Sequence, residues 1–163
     1  PSLGIEFSSG SLGHGLSVGA GIALAKKRDN VPGNVYVLLG DGECNEGMIW
    51  EAIMFGSSFK LNNLTAIIDY NNLQGLGKSN KIINLEPLDK KFKSFGWDAI
   101  KVDGHNFKEL KKALTKKNIN KPKIIIAKTV KGMGISSMQN KLSSHYQTIN
   151  SELQFEKFLK ELK

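Results

Sequence analysis

Two apolar, β-prone runs end on residues of a kind that hold ligands, and their spacing constrains the fold more than any other feature of the chain. Val35-Tyr36-Val37-Leu38-Leu39 leads directly into Gly40-Asp41-Gly42, and thirty residues after that aspartate a second run, Leu64 to Tyr70, leads into Asn71-Asn72. Short unbroken apolar runs of this kind read as strands buried on both faces of a parallel sheet. The intervening stretch has room for a helical crossover, which makes the pair a right-handed βαβ unit. Asp41 and Asn71 then fall at the carboxyl ends of neighbouring strands, the edge where open α/β sheets bind ligands. Gly40 and Gly42 leave the backbone beside Asp41 open to close approach. A carboxylate and an amide oxygen converging there suit a hard cation, Mg²⁺ or Ca²⁺, that also holds a phosphate. Asn45 is expected to cap the following helix, with Glu46 in its first turn.

The rest of the chain continues the alternation. Leu12 to Arg28 is rich in small residues and predicts a closely packed helix, and residues 45–60 predict a second one. The glycine-containing stretch Asn71 to Lys81 reads as a loop long enough to fold over a ligand. Glu86 to Phe95 predicts a helix and Trp97 to Val102 a strand ending at Asp103-Gly104-His105. Asn106 is placed to cap a lysine-rich helix reaching about Lys117, and Lys123 to Lys128 predicts another strand. A final helix, Ser151 to Leu162, spaces Leu153, Phe155, Phe158, Leu159 and Leu162 along one face. The expected fold is therefore α/β, a parallel or mostly parallel sheet flanked by helices, in one domain over residues 1–163.

Charge and cysteine content narrow the function classes. The formal net charge is +8, yet 22 of the 23 basic residues are lysines and Arg28 stands alone, so the arginine forks and aromatic platforms that read nucleic acids are scarce. Paired lysines such as Lys111-Lys112 and Lys116-Lys117 read as solvated helix faces; a field drawing in anionic ligands is the other reading. No apolar run approaches the length of a membrane span. Pro1 to Gly4 lacks the pattern of a signal peptide, and the single Cys44 points to a reducing, cytoplasmic setting. Cys44 itself reads as a space-filling residue.

The GDG–NN pair resembles the thiamine diphosphate signature, and the surrounding words narrow the likeness. Gly10 to Lys27 (GSLGHGLSVGAGIALAKK), Gly40 to Ala52 (GDGECNEGMIWEA), Phe92 to Asn106 (FKSFGWDAIKVDGHN) and Lys128 to Gly134 (KTVKGMG) are similar to the diphosphate-binding domain of transketolase, in the same order along about nine-tenths of the chain. The resemblance implies a thiamine diphosphate-binding fold and a transferase that moves two-carbon ketol units between sugar phosphates. It assigns Asp41 and Asn71 as Mg²⁺ ligands through their side chains and Leu73 through its carbonyl. Gly40, Gly42, Glu43 and Asn71 fall around the diphosphate, with Asn72 behind them, and Gly10 and Leu12 fall beside the cofactor rings. Their plain readings are a turn at Asn72, a tight turn at Gly10 and a core leucine at Leu12. Glu46 matches a glutamate that links paired active sites across a dimer, and is otherwise a carboxylate favoured by a helix start. His145 falls where the family has a histidine near diphosphate and substrate. His14 and His105 are read as structural.

The resemblance also implies missing parts. Nothing here matches the family's sequence before the GSLGHG word, so the domain is expected to be N-terminally incomplete. The pyrimidine-binding domain, which supplies the glutamate that activates the cofactor, is expected on a separate C-terminal subunit, in a dimer or heterotetramer. The chain alone is then inactive. Rival readings are another thiamine diphosphate enzyme, such as a 2-oxoacid dehydrogenase α subunit or deoxyxylulose phosphate synthase, and a non-catalytic fragment. A nicotinamide dinucleotide-binding domain is a further rival, suggested by Gly13-x-Gly15-x-x-x-Gly19 after a short Ile5-Glu6-Phe7 strand.

Overall fold

The two apolar runs do lie side by side as parallel strands. The computed structural model describes residues 4–162; Pro1, Ser2 and Leu3, part of the stretch read as no signal peptide, lie outside the described residues. In chain order the elements are α1 (His14–Arg28), β1 (Val35–Gly40), a 3₁₀ turn (Gly42–Asn45), α2 (Gly47–Ser58), β2 (Leu64–Tyr70), β3 (Leu73–Gln74), β4 (Gly77–Lys78), α3 (Ser79–Ile82), α4 (Leu88–Ser94), β5 (Asp98–Asp103), α5 (Phe107–Thr115), β6 (Lys123–Lys128), a second 3₁₀ turn (Leu142–Tyr146) and α6 (Glu152–Glu161).

The main sheet runs β1-β2-β6-β5 with every pairing parallel, as the alternation of apolar runs and helices requires. Register aligns Gly40 with Asp69, and Asp69 with Ala127, so the ends of β1, β2 and β6 open at one edge. On one face, Val37, Leu39, Ala66, Ile68, Ile124 and Ile126 pack with residues of α1, α2 and α4 into the hydrophobic core. Trp50 stacks on Phe92 at 5.4 Å between centroids, joining α2 to α4. The close packing expected of α1 holds: a Cβ at Gly19 would collide with Val37 of β1. On the other face α5 lies against β5 and β6. Its start is capped by Asn106, whose side chain accepts from the Lys108 and Glu109 N–H groups. Its end is held by Lys123, buried to 1% exposure, whose Nζ donates to the carbonyls of Ala113, Leu114 and Lys116 at 2.7–3.1 Å. Burial lowers the pKa of that ammonium.

Three expectations need correction. Asn45 does not cap α2: the chain makes a 3₁₀ turn through Gly42–Asn45, and Glu46, in an extended conformation, precedes α2 with no side-chain cap. The stretch 71–81 is not an open loop, because Leu73–Gln74 and Gly77–Lys78 pair as an antiparallel hairpin and a helical turn follows. Gly77, at φ 150°, supplies the hairpin with a conformation that side chains disfavour. The apolar stripe of α6 is only partly covered: Phe158 is buried while Leu153 is 83% exposed. Among the described residues no helix is long and apolar enough to cross a membrane.

Candidate functional site

Asp41 and Asn71 each directly follow the carboxyl end of a strand, β1 and β2, which are neighbours in the sheet. Asp41 is 5% exposed, and its Oδ2 accepts from the Asn72 N–H. Asn72 makes that contact from a left-handed conformation, φ 62°, which asparagine tolerates better than most residues. The Asn71 side chain is fixed at both ends. Its Nδ2 donates to Asp69 Oδ2 at 3.1 Å, and its Oδ1 accepts from the Leu73 N–H at 3.0 Å. Asp69 is itself held by the Thr129 hydroxyl, from just beyond β6. The amide oxygen therefore has a defined direction and a second lone pair to offer.

The electrostatics leave this cluster short of positive charge. Burial raises the Asp41 carboxyl above the usual carboxylate range; the Asn72 N–H opposes this and the nearby Asp69 charge adds to it. Among the described residues the salt bridges join lysines to Asp89 and Asp98, none to Asp41 or Asp69. Ser79, which lines a small cavity with Asp41, Asn45 and Asn72, has a buried hydroxyl that faces the Asp41 carboxylate and works against the rise in its pKa. The Gln74 Nε2 is buried and unpartnered. A Cβ at Gly42 would lie 2.7 Å from that of Gln74, so only glycine lets the hairpin close over the turn. Two carboxylates and an oriented amide oxygen are oxygen donors of the kind a hard cation takes, and the Gln74 NH₂ can only donate, as to a water or phosphate oxygen. Among the described residues no cluster of three His, Cys, Asp or Glu side chains occurs.

Glu43 does something that sequence reasoning missed. Its Oε1 accepts from the Gly13 N–H at 2.8 Å and its Oε2 from the Gly40 N–H at 3.1 Å. One carboxylate thus ties the loop before α1 to the Asp41 turn, with both oxygens engaged on backbone. Gly13 adopts φ 85°, and a Cβ there would lie 3.1 Å from that of Glu46. Glu46 is exposed beside this junction, Gly10 sits in open space, and Leu12 is 55% exposed rather than in the core. Cys44 is fully buried, with its thiol pushed up to about 12 by burial, as a space-filling role requires.

The three histidines separate. His14 is exposed, its Nδ1 3.1 Å from the Leu12 carbonyl. His105 Nε2 accepts from the Val130 N–H at 2.8 Å, joining the end of β5 to the segment after β6. His145 is exposed in the second 3₁₀ turn, its Nε2 3.5 Å from where a Gly75 Cβ would stand. It therefore reaches the turn of the same hairpin whose Gln74 covers Gly42. Asp69, Thr129, Ser79 and Gln74 were not foreseen. Asp69 carries a signal, as the one charged residue of an otherwise apolar strand; Thr129 and Ser79 carry none, because their roles depend on loop paths. Ile5-Glu6-Phe7 is not a strand, so the glycines at 13, 15 and 19 follow a loop rather than the strand a dinucleotide fingerprint requires.

The profile of the family described as transketolase, thiamine diphosphate binding domain, matches residues 1–156. The chain belongs to this family. A 6-deoxy-6-sulfo-D-fructose transketolase subunit from Clostridium sp. (strain MSTE9) is 42% identical over 154 residues, covering 93% of this chain and 56% of the relative. An apulose-4-phosphate transketolase subunit from Phocaeicola vulgatus is 40% identical over 161 residues, covering 98% of this chain and 57% of the relative. The chain spans about half the length of these curated relatives. The crystal structure of Campylobacter jejuni transketolase superposes with a TM-score of 0.81 at 33% identity, covering 88% of this chain and 24% of that one. The transketolase-type α/β fold expected from sequence is thus present.

Proposed function

We propose that this chain is the metal- and diphosphate-binding part of a transketolase that moves two-carbon ketol units between sugar phosphates. The observation that carries the reading is the uncompensated pair Asp41 and Asp69 beside the oriented Asn71 oxygen. Mg²⁺ fits that donor set, with Ca²⁺ as a second hard cation. Asp41 and Asn71 would hold the metal through side-chain oxygens and Leu73 through its carbonyl. Gly42 and its neighbours in the turn would offer backbone N–H groups to the diphosphate of thiamine diphosphate, the Gly40 N–H being already taken by Glu43. When bound, the cofactor supplies the electron sink for breaking a carbon–carbon bond beside a carbonyl.

The chain's own residues then bind and orient. Asn72 holds the Asp41 carboxylate in place, and Asp69 with Thr129 aims Asn71. Gly10 and Leu12 line the approach to the cofactor rings, on a loop that Glu43 anchors. His145 lies across the hairpin, where it would meet the diphosphate end of a substrate complex. Glu46, exposed beside Gly13, would face the second half of a dimer. The chain forms one diphosphate-binding domain, and catalysis requires a C-terminal subunit or pyrimidine-binding domain, assembled as a dimer or heterotetramer in the cytoplasm. The names of two relatives as transketolase subunits support a divided enzyme.

The test is a calorimetric titration of thiamine diphosphate with and without Mg²⁺, beside Asp41→Ala. Saturable binding that needs both the metal and Asp41 is expected. Binding that is indifferent to both would sink the clamp. Turnover of a ketose phosphate by the pure isolated chain would refute the need for a partner.

A further inference from the structure

Asp103-Gly104-His105, which reads in sequence as a strand end with a structural histidine, grips the segment that leaves β6. The Gly104 N–H donates to the Lys128 carbonyl at 2.8 Å, and the Thr129 N–H donates to the Tyr70 carbonyl at 3.1 Å. A Cβ at Gly104 would collide with the Thr129 methyl, so glycine is what lets the end of β5 close on this segment. The third contact is of another kind. The Val130 N–H donates at 2.8 Å to His105 Nε2, a side chain in place of a carbonyl. His105 is itself fixed from behind: its N–H donates to Asp103 Oδ1 and the Asp103 N–H donates to Glu109 Oε2, both at 2.9 Å.

The Val130 contact fixes the state of the ring. A backbone N–H can only donate, so Nε2 carries a lone pair and the neutral imidazole has its proton on Nδ1. The same contact sets the path of Thr129, whose hydroxyl holds Asp69. Asp69 Oδ2 accepts from Asn71 Nδ2 at 3.1 Å, and Asn71 Oδ1 accepts from the Leu73 N–H at 3.0 Å. A continuous relay therefore runs from the end of β5, past β6, to the end of β2. The charged groups that share a cavity with the ring are Lys101 and Asp103 of β5, Glu109 of α5, Lys128 of β6 and Glu86 ahead of α4.

We infer that His105 is a positioning residue for the candidate site: its neutral ring holds Val130 and Thr129 in the path from which Asp69 aims the Asn71 amide. The relay acts on Asn71 with or without a ligand; only its last step, from Asn71 to a cation, rests on the proposed clamp. Two properties separate this role from plain packing. The ring is exposed, so truncating it leaves the core intact. Protonation alone, with every heavy atom of the ring in place, turns Nε2 into a donor and ends the contact with Val130. A ring that served only as filler would be indifferent to that proton.

The experiment uses the 163-residue chain, first without ligand and read by NMR. At neutral pH the ring nitrogen signals of His105 should show Nε2 bare and Nδ1 protonated. Amide exchange at Val130 and Leu73, corrected for its intrinsic pH dependence, should quicken as pH falls, with the same midpoint as protonation of the ring. His105→Ala should speed both amides about tenfold at neutral pH while urea unfolding changes little. His105→Gln, whose amide oxygen can take the place of Nε2, should restore protection and remove the pH dependence. In a Thr129→Val background, where Asp69 has lost the hydroxyl, His105→Ala should change Leu73 exchange no further. Mg²⁺ titrated together with thiamine diphosphate should bind about fivefold more weakly to His105→Ala than to the parent chain. A protonated Nε2 at neutral pH, Leu73 exchange indifferent to His105→Ala, or a glutamine variant that behaves as alanine does overturns the inference. Equal Mg²⁺ affinity in parent and His105→Ala overturns it too and leaves the clamp standing. The expected Leu73 response in a chain that binds no Mg²⁺ supports the relay and sinks only the clamp.

Discussion

Glu43→Gln is the substitution that most sharply tests how the site is assembled. The carboxylate accepts one backbone N–H on each oxygen, from Gly13 at 2.8 Å and from Gly40 at 3.1 Å. Glutamine keeps the size but has only one acceptor oxygen, so one of the two N–H groups must face an NH₂ group instead. A hydrogen bond to a charged group is worth about 1.5–3 kcal/mol and a neutral one about 0.5–1.5. Losing one and weakening the other, in a half-buried setting that water partly reaches, gives a loss of about 2 kcal/mol in local stability. At about 1.4 kcal/mol per factor of ten, Gly13 and Gly40 amides should exchange about 30-fold faster in the variant. Glu43→Asp, one methylene shorter, should not span both loops and should resemble Glu43→Gln. The assay is residue-resolved amide exchange, with urea unfolding as the control for global stability. If Gly13 and Gly40 exchange in both variants at the rates of the parent chain, the carboxylate does not hold the loop and the assembly argument fails.

Two other perturbations probe the scaffold. Lys123→Met removes the one ammonium that serves three carbonyls at the end of α5; set against the burial penalty that it relieves, the net loss should be about 3 kcal/mol. For a domain of this size that lowers the thermal midpoint by about 6–12 °C, and an unchanged midpoint would show that water replaces the ammonium. Gly19→Ala favours the helix by about 1 kcal/mol but drives a methyl into buried Val37, so unfolding by urea should show a net loss of about 1–2 kcal/mol rather than the gain expected at an exposed site.

The sheet was legible because its signals are local. β1 and β2 are short apolar runs that end at glycine, aspartate or asparagine, β6 is an apolar run opened by Pro122, and the Asn106 cap of α5 sits next to the N–H groups that it serves. Where a boundary depends on contacts made far along the chain, the reading slipped. Asn45 looks like a helix cap by type, yet the chain first makes a tighter turn that keeps Glu43 within reach of Gly13, a partner thirty residues earlier. The hairpin at 73–78 was hidden because its strands are two residues long, too short for any periodicity. In the candidate site the positions of Asp41 and Asn71 were legible from the strand ends. Their supports were not: Thr129 reaches Asp69 across sixty residues of sequence, and no pattern near either one announces it.

Those supports explain why a short polar sequence can act as a site at all. A lone aspartate at a strand end would turn toward water, and a lone asparagine amide would rotate freely. Here Asp41 is buried at an energetic cost, visible in its raised pKa, and is held by an amide hydrogen from the residue next to Asn71. Asn71 is in turn aimed by Asp69, a second negative charge that would itself be a liability without the Thr129 hydroxyl. Every step adds negative charge or removes freedom, and among the described residues no lysine forms a salt bridge with either carboxylate, although lysines are abundant in the chain. A fold selected for stability alone would place one there. That uncompensated charge is what the proposed cation would balance.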